Sequence, residues 1–237
     1  MANNYFQFKE FIVEQADTAM KVGTDGVLLG AWADVSQADA ILDIGTGSGL
    51  IALMLAQRSA AEITAVEIEE KACRQADKNF KQSKWADRIL LVNSSFQKFA
   101  TTINKKFDLI VSNPPYFVNS MKSPTNERNL ARHTDLLPFA DLFGFSSKLL
   151  KPNGKLALII PTDISKSVFD EANFSRFSLN KKTSVKSSTL KPPKRLLLEF
   201  SFSKTELLEN CVTIENQQQH DFTQEYKNLT KDFYLAF

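Results

Sequence analysis

Short apolar runs that alternate with helix-like segments limit the fold of this 237-residue chain more than any other feature. Strand-like runs occur at residues 40–44, 62–68, 107–113 and 155–161, with helical patterns between them. Strands separated by helices are typical of a parallel sheet that is covered by helices on both faces. We therefore predict a doubly wound α/β fold with a mostly parallel sheet.

The chain after residue 161 follows a different pattern. Residues 178–188 and 195–203 read as two strands in close succession, which suggests an antiparallel addition at the sheet edge. In the tail, at residues 211–237, the pattern predicts a short strand and a weak helix. We treat residues 1–237 as one domain, in which residues 1–39 form an N-terminal extension whose fold the sequence does not determine.

The composition is that of an ordinary soluble protein, with 43% hydrophobic and 24% charged residues. A net charge of +2 gives no general attraction for polyanions, so such a partner must meet local basic patches. Cys73 and Cys211 lie far apart without metal-ligand spacing, so we predict free thiols and no metal. The start of the chain lacks a signal-peptide pattern, and no apolar run reaches the length of a membrane span. These observations predict a cytoplasmic protein without membrane contact.

A glycine-rich loop, DIGTGSG at residues 43–49, follows the first strand of the alternation and precedes a helix. Glycine allows a positive φ and a close approach of the backbone to a ligand at the carboxyl end of the strand. The spacing matches neither a dinucleotide fingerprint nor the Lys-Ser/Thr ending of a phosphate-binding loop. Glu67 ends the next strand, where its carboxylate can accept hydrogen bonds from both hydroxyls of a ribose. Together the loop and Glu67 favour a nucleoside ligand over a simple turn beside an exposed acid.

A second motif, Asn113-Pro114-Pro115-Tyr116, ends the strand at residues 107–113. In a doubly wound sheet it would face the glycine loop across one crevice. The Asn113 side-chain oxygen and the Pro114 carbonyl would accept hydrogen bonds from the two N–H groups of a conjugated amine, which aims the nitrogen lone pair at a methyl donor. Proline stiffens the backbone that presents these oxygens, and Tyr116 offers a ring for stacking. We interpret Asn113, Pro114 and Tyr116 as catalytic residues for methyl transfer to a planar nitrogen.

The glycine loop and Glu67 resemble the nucleoside site of class I S-adenosylmethionine-dependent methyltransferases, over residues 40–161. The resemblance implies S-adenosylmethionine as cofactor, S-adenosylhomocysteine as product, and a seven-stranded sheet in the order 3-2-1-4-5-7-6. The seventh strand, at residues 195–203, would be antiparallel. Ser95 stands about where many relatives carry an adenine-binding Asp, and Phe96 could still pack on the adenine. The cofactor-binding residues implied here are Asp43, Gly45, Gly47, Gly49, Glu67, Ser95, Phe96 and Asn113.

Motifs towards both ends of the chain narrow the range of possible substrates. The Asn-Pro-Pro-Tyr motif is that of enzymes acting on adenine N6 or on a protein glutamine amide, and it does not choose between them. Nearly the whole chain resembles the tRNA-Val (adenine-37-N6)-methyltransferase family. The resemblance comes from the segment at residues 16–32 and from the motifs ARHT, PPKR and LTKDFYL. The resemblance implies a target adenine beside the anticodon and a tRNA anticodon stem-loop as partner. It also implies that the N-terminal extension brings Lys21, Gly23, Thr24 and Asp25 to the methionine end of the cofactor.

Two basic segments are candidate RNA-binding surfaces, although a charge run is commonly only a solvated face. They contain Arg128, Arg132 and His133 after the active-site motif, and Lys191, Lys194 and Arg195 in the predicted hairpin. Two other functions stay open: a protein-glutamine N5-methyltransferase acting on a release factor, and a non-catalytic RNA-binding module. The intact Asn113 and Tyr116 argue against the module. No obligate protein partner is predicted.

Overall fold

The chain folds into one large sheet flanked by helices, with a small N-terminal hairpin beside it. The computed structural model describes residues 3–18, 20–115 and 137–237. The strands are β1 (Tyr5–Gln7), β2 (Ile12–Glu14), β3 (Ala40–Ile44), β4 (Glu62–Glu67), β5 (Ile89–Asn93), β6 (Phe107–Ser112), β7 (Leu150–Pro161), β8 (Ser178–Ser188), β9 (Arg195–Ser201) and β10 (Leu208–Glu215). The helices are α1 (Thr24–Trp32), α2 (Leu50–Arg58), α3 (Glu70–Lys81), α4 (Phe96–Thr102), α5 (Phe139–Leu149), α6 (Ser165–Phe174) and α7 (Gln224–Thr230).

The large sheet has the strand order β10-β8-β9-β7-β6-β3-β4-β5. Seven of these strands follow the predicted order, with β3 as the first strand, and β9 is antiparallel to both of its neighbours. The predicted number of seven strands is wrong, because β10 pairs in parallel with β8 as an eighth. The short strand predicted in the tail is confirmed as part of β10, but its first four residues are exposed and give no pattern that would predict its membership of the large sheet.

Two hydrophobic cores cover the two faces of the sheet. Successive side chains of a strand point to opposite faces, so Ile41 joins the core beneath α1 and α2, while Leu42 joins the core beneath α5 and α6. Leu28 and Phe143, which represent the two helical layers, are both fully buried. Each such side chain stabilises the fold by about 1.5–3 kcal/mol. The alternation of strands and helices predicted from the sequence is confirmed by this two-faced core.

The N-terminal extension, whose fold the sequence left open, forms the antiparallel hairpin β1–β2 followed by α1. Asn79 of α3 fixes the hairpin through both atoms of its buried amide. Its Oδ1 accepts the backbone N–H of Glu14 at 2.9 Å, and its Nδ2 donates to the carbonyls of Glu14 and Ser48, each at 2.8 Å. Since Ser48 belongs to the glycine loop, one side chain joins the hairpin to that loop. Over the described ranges, no helix is long and apolar enough to cross a membrane.

Candidate active site

A cavity of about 430 Å³ opens at the carboxyl ends of β3, β4 and β6. The strand register places these ends side by side, because Ile44 pairs with Ser112 and Val66 lies opposite Ile44. The hydroxyl of Ser112 donates to the carbonyl of Ile44 at 2.9 Å and ties the two strand ends together where they separate. Ligands of doubly wound sheets bind in such a crevice, where the strand order reverses.

The glycine loop forms one wall of the cavity through Gly45 and Gly47. Their φ angles are +71° and +58°, in the left-handed region that side chains rarely adopt. A Cβ atom built on either residue would meet no atom within 4 Å, so the glycines leave open space on the ligand side. The backbone N–H groups of Gly45 and Thr46 donate to the carbonyl of Val66 at 2.9 and 3.1 Å and fix the loop against β4. This cradle has the form needed by a ligand that lies directly on the backbone.

Glu67, at the end of β4, lines the same wall and is 8% exposed. Its Oε2 accepts the backbone N–H of Gly47 at 2.9 Å, and its Oε1 accepts the backbone N–H of Glu69 at 2.8 Å. A carboxylate has about four lone-pair positions, so each oxygen keeps a capacity to accept one more hydrogen bond. The carboxylate is thus held in place by the protein while it faces the cavity.

Asp43 and Gly49, which the sequence assigns to the cofactor, do not line the cavity. Asp43 is fully buried under the loop, and its Oδ2 accepts the Thr46 hydroxyl at 2.6 Å. Burial, aided by the charge of Glu67, raises the pKa of Asp43 to about 7, against the opposing effect of the Thr46 hydroxyl and the Ala52 backbone. At Gly49, with φ +87°, a Cβ would lie 2.4 Å from the Phe80 ring. Asp43 therefore holds the loop and Gly49 permits close packing of α2 on α3, while direct ligand contact by either stays a prediction.

The start of α4 forms another part of the cavity wall. Ser95 is the N-cap residue of α4, where its Oγ accepts the backbone N–H of Lys98 at 3.2 Å. Phe96 is 4% exposed, lines the cavity and packs edge-on against Phe145. Gln97 also lines this wall, and its Nε2 donates to Asp141 of α5 at 3.0 Å. No sequence motif identifies Gln97 as a site residue. It reaches the cavity because it is the second residue of α4, which begins at the cavity wall.

Asn113 and Pro114, which leave β6, line the cavity together with Pro115. The structure therefore brings the two predicted motifs to one cavity, because β6 is the direct neighbour of β3. Their catalytic roles stay predictions. The other residues predicted around this point lie outside the described part of the chain. They are Tyr116, Arg128, Arg132 and His133.

The N-terminal segment reaches the cavity with residues other than those predicted. Thr18, which is buried, and Met20, which is 61% exposed, line the cavity. The four predicted residues are not among those that line it. The Lys21 ammonium donates to the carbonyl of Gln15, and Gly23 is the N-cap residue of α1. Contact of Lys21, Gly23, Thr24 and Asp25 with a cofactor therefore stays a prediction.

The predicted basic hairpin lies at the same edge of the sheet as the cavity. Arg195 begins β9 and pairs with Pro161 at the carboxyl end of β7. Lys191 and Lys194 are exposed in the loop and form no ion pair with any described residue. Arg195 differs, since its Nε donates to Asp25 of α1 at 2.7 Å. In the three ranges described, no cluster of His, Cys, Asp and Glu could hold a metal ion.

Comparison with known proteins agrees with this geometry. Residues 19–184 match the family model of the methyltransferase small domain, so the chain is a methyltransferase of this class. A protein of Parabacteroides distasonis is 47% identical over 99% of each chain, and one of Trichodesmium erythraeum is 48% identical over the whole of both. Both are named tRNA1(Val) (adenine(37)-N6)-methyltransferase, and the chain belongs to this family.

A solved structure supports the fold alone. The crystal structure of a predicted O-methyltransferase from Agrobacterium tumefaciens superposes with a TM-score of 0.70 at 19% identity. The superposition covers 88% of this chain and 96% of the other. The cofactor of this methyltransferase is S-adenosylmethionine, and the open glycine cradle beside the fixed Glu67 carboxylate fits its nucleoside part.

Proposed function

We propose that the protein transfers the methyl group of S-adenosylmethionine to the exocyclic N6 of adenine 37, beside the anticodon of a valine tRNA. One observation carries this proposal: the glycine loop after β3 and Asn113-Pro114 after β6 line one cavity in a chain of this family. A cofactor cradle alone would fit any methyltransferase. The asparagine-proline pair beside it supplies acceptors suited to an amino group. Action on tRNA also implies a cytoplasmic protein.

The donor side of the site is proposed to consist of the cradle and the start of α4. Gly45 and Gly47 let the cofactor lie against the backbone, while Glu67 accepts hydrogen bonds from the ribose hydroxyls. Phe96 packs on the adenine, and Ser95 orders the wall by capping α4. The bound cofactor supplies an electrophilic methyl group. The protein's task on this side is to bind and orient it, which makes the transfer effectively unimolecular.

The acceptor side is proposed to activate a poor nucleophile. The lone pair of an adenine amino group is delocalised into the ring, so the free base reacts slowly. The Asn113 side-chain oxygen and the Pro114 carbonyl accept its two N–H groups and favour a pyramidal nitrogen with its lone pair towards the methyl group. Fixed acceptors stabilise developing charge strongly, since they need no reorganisation during the reaction. The nitrogen becomes acidic only after methylation, so water can take the released proton.

The tRNA is proposed to meet the enzyme at the carboxyl edge of the sheet through its anticodon stem-loop. Lys191 and Lys194 stand exposed on this edge, where they can neutralise backbone phosphates. The target base lies in a loop, so extruding it costs less than extruding a paired base. Tyr116 follows the acceptor motif in the sequence and is proposed to stack on the extruded base.

The test is incubation of the purified protein with radiolabelled S-adenosylmethionine and either total tRNA from a strain lacking the gene or a protein extract. We expect label in one valine tRNA, recovered as N6-methyladenosine at position 37. Label in a release factor would instead establish the glutamine N5-methyltransferase. Cofactor and RNA binding without any transfer of label would establish a non-catalytic module.

A further inference from the structure

The ion pair between Asp25 and Arg195 joins two segments that the sequence assigns to different ligands. Arg195 Nε donates to Asp25 Oδ2 at 2.7 Å, and the two side chains are 35% and 27% exposed. A second guanidinium nitrogen of Arg195 donates to the carbonyl of Lys194 at 3.1 Å. The guanidinium is therefore engaged within the protein, whereas Lys191 and Lys194 present their charges to solvent.

The Arg195 end of the pair is anchored on the sheet. As the first residue of β9, Arg195 is paired with Pro161 of β7 on one side and Val185 of β8 on the other. The neighbouring backbone is fixed too, because the N–H of Lys194 donates to Val185 at 2.9 Å and the N–H of Thr162 donates to Lys194 at 3.2 Å. The guanidinium therefore extends from a backbone that is held by both neighbouring strands.

The Asp25 end belongs to the chain segment that forms part of the cavity wall. Asp25 lies in the first turn of α1, whose N-cap residue Gly23 makes no side-chain cap. The segment before it folds around the buried side chain of Gln15, whose Oε1 accepts the backbone N–H of Val22 at 2.6 Å. Within this same segment Thr18 and Met20 line the cavity. Displacing the start of α1 would therefore move the wall that these two residues provide.

We propose that Arg195 is a positioning residue of the donor site: through Asp25 it holds the start of α1, and with it the wall formed by Thr18 and Met20. This inference rests on the proposed function, since it takes the cavity to be the S-adenosylmethionine site. The proposal gives Arg195 a role different from that of Lys191 and Lys194, with which the sequence analysis groups it as an RNA-binding residue. A phosphate contact by Arg195 would require the guanidinium to give up or share Asp25, whereas the two lysines have no such partner among the residues that the structure describes.

The experiment measures the affinity of the full chain for S-adenosylhomocysteine by titration calorimetry, without RNA. Arg195→Gln and Asp25→Asn should each weaken binding about three- to fivefold, as expected for loss of a partly exposed ion pair. The double variant should be no weaker than either single variant, because both remove the same contact. Arg195→Lys, which keeps the charge, should recover part of the affinity. Lys191→Gln removes one charge from the same hairpin and should leave S-adenosylhomocysteine affinity unchanged.

Circular dichroism checks that each variant is folded. If Arg195→Gln does not fold, Asp25→Asn tests the same ion pair from its other side. Wild-type affinity in Arg195→Gln or in Asp25→Asn would overturn the proposal. Additive losses in the double variant would also overturn it, since the two residues would then act separately. Failure of the wild-type protein to bind S-adenosylhomocysteine would contradict the proposed function itself, so the two failures are distinguishable.

Discussion

Gly47 donates its backbone N–H to Oε2 of Glu67 at 2.9 Å, so the carboxylate at the end of β4 also fixes the glycine loop that follows β3. The second carboxylate oxygen is held by the N–H of Glu69 at 2.8 Å. One side chain thus combines two tasks, because it shapes the cradle and presents acceptor oxygens to the cavity. A substitution at Glu67 should affect both.

Glu67→Ala should weaken S-adenosylmethionine binding by about 1.5–3 kcal/mol, the range for hydrogen bonds to a charged group. Glu67→Gln, which keeps one acceptor oxygen, should lose less. Titration calorimetry measures both affinities directly. Unchanged affinity in Glu67→Ala would show that the carboxylate does not bind the ribose and that the cradle keeps its shape without it.

Gly47→Ala should lose cofactor affinity, because the new methyl group would fill the cradle and strain a positive φ by about 1–2 kcal/mol. Gly144→Ala is the matched control, since its Cβ would also meet no atom within 4 Å but carries no positive φ. Calorimetry and urea unfolding of both variants separate ligand exclusion from backbone strain. A Gly47→Ala protein that binds cofactor like the control would contradict the cradle.

Asn113→Ala should still bind cofactor but transfer methyl groups about 10²–10³ times more slowly, because it loses one preorganised acceptor. Single-turnover methylation of an anticodon stem-loop gives this rate without the contribution of product release. Tyr116→Phe keeps the ring proposed to stack and should remain close to the wild-type rate. A nearly normal rate in Asn113→Ala would mean that the motif has been misinterpreted.

Asp43 should make the stability of the cofactor-free protein depend on pH. Its pKa is raised from 3.8 to about 7 in the fold, so the folded state binds one more proton than the unfolded state between these values. Its favourable contribution is present below about pH 4 and is lost as the pH rises to 7. Asp43→Asn should therefore gain stability relative to wild type between pH 5.5 and 8, by about 2 kcal/mol. Urea unfolding at the two pH values tests this, and parallel pH profiles would rule it out.

Lys191→Glu combined with Lys194→Glu should weaken tRNA binding and reduce its dependence on salt. Each lost phosphate contact lowers the slope of log affinity against log salt by roughly 0.7–0.9. Filter binding between low and physiological salt gives the slope, and calorimetry with S-adenosylhomocysteine serves as the control for the donor site. An unaltered slope would return both lysines to the role of a solvated surface.

The part of the fold that the sequence predicts well depends on local patterns. The strands β3, β4 and β6 are short apolar runs with turn signals beside them, and the glycine loop is contiguous in sequence. The N-terminal hairpin could not be predicted, because it depends on Asn79, which reaches Glu14 from a distant helix. In the same way a short strand was predicted in the tail, but its pairing with β8 as an eighth strand of the large sheet is a tertiary contact that the sequence does not show.

The residues of the candidate site also divide into those that local sequence identifies and those that only tertiary packing brings to the cavity. Gly45, Gly47, Glu67 and Asn113 were recognisable because each stands at the end of a predicted strand or in the loop directly after it. Thr18, Met20 and Gln97 line the cavity only because of how their segments pack, so no spacing in the sequence identifies them. The pairing of Asp25 with Arg195 is tertiary as well. Its charge led to the prediction that Arg195 binds RNA together with the neighbouring lysines. Its ion pair with Asp25 distinguishes it from them.

The position of β9 has a consequence for how a nascent chain reaches this fold. This strand lies between β7 and β8 although it is synthesised after both, so β8 cannot join the sheet before β9 exists. Hairpins form within about 1–10 μs, so β8 and β9 should pair with each other first and add to β7 as one unit. Until residue 201 has left the ribosome, β7 stays an open edge that invites aggregation. Pulse-labelled hydrogen exchange during refolding should show β8 and β9 gaining protection together, and earlier protection of β8 on its own would exclude this order.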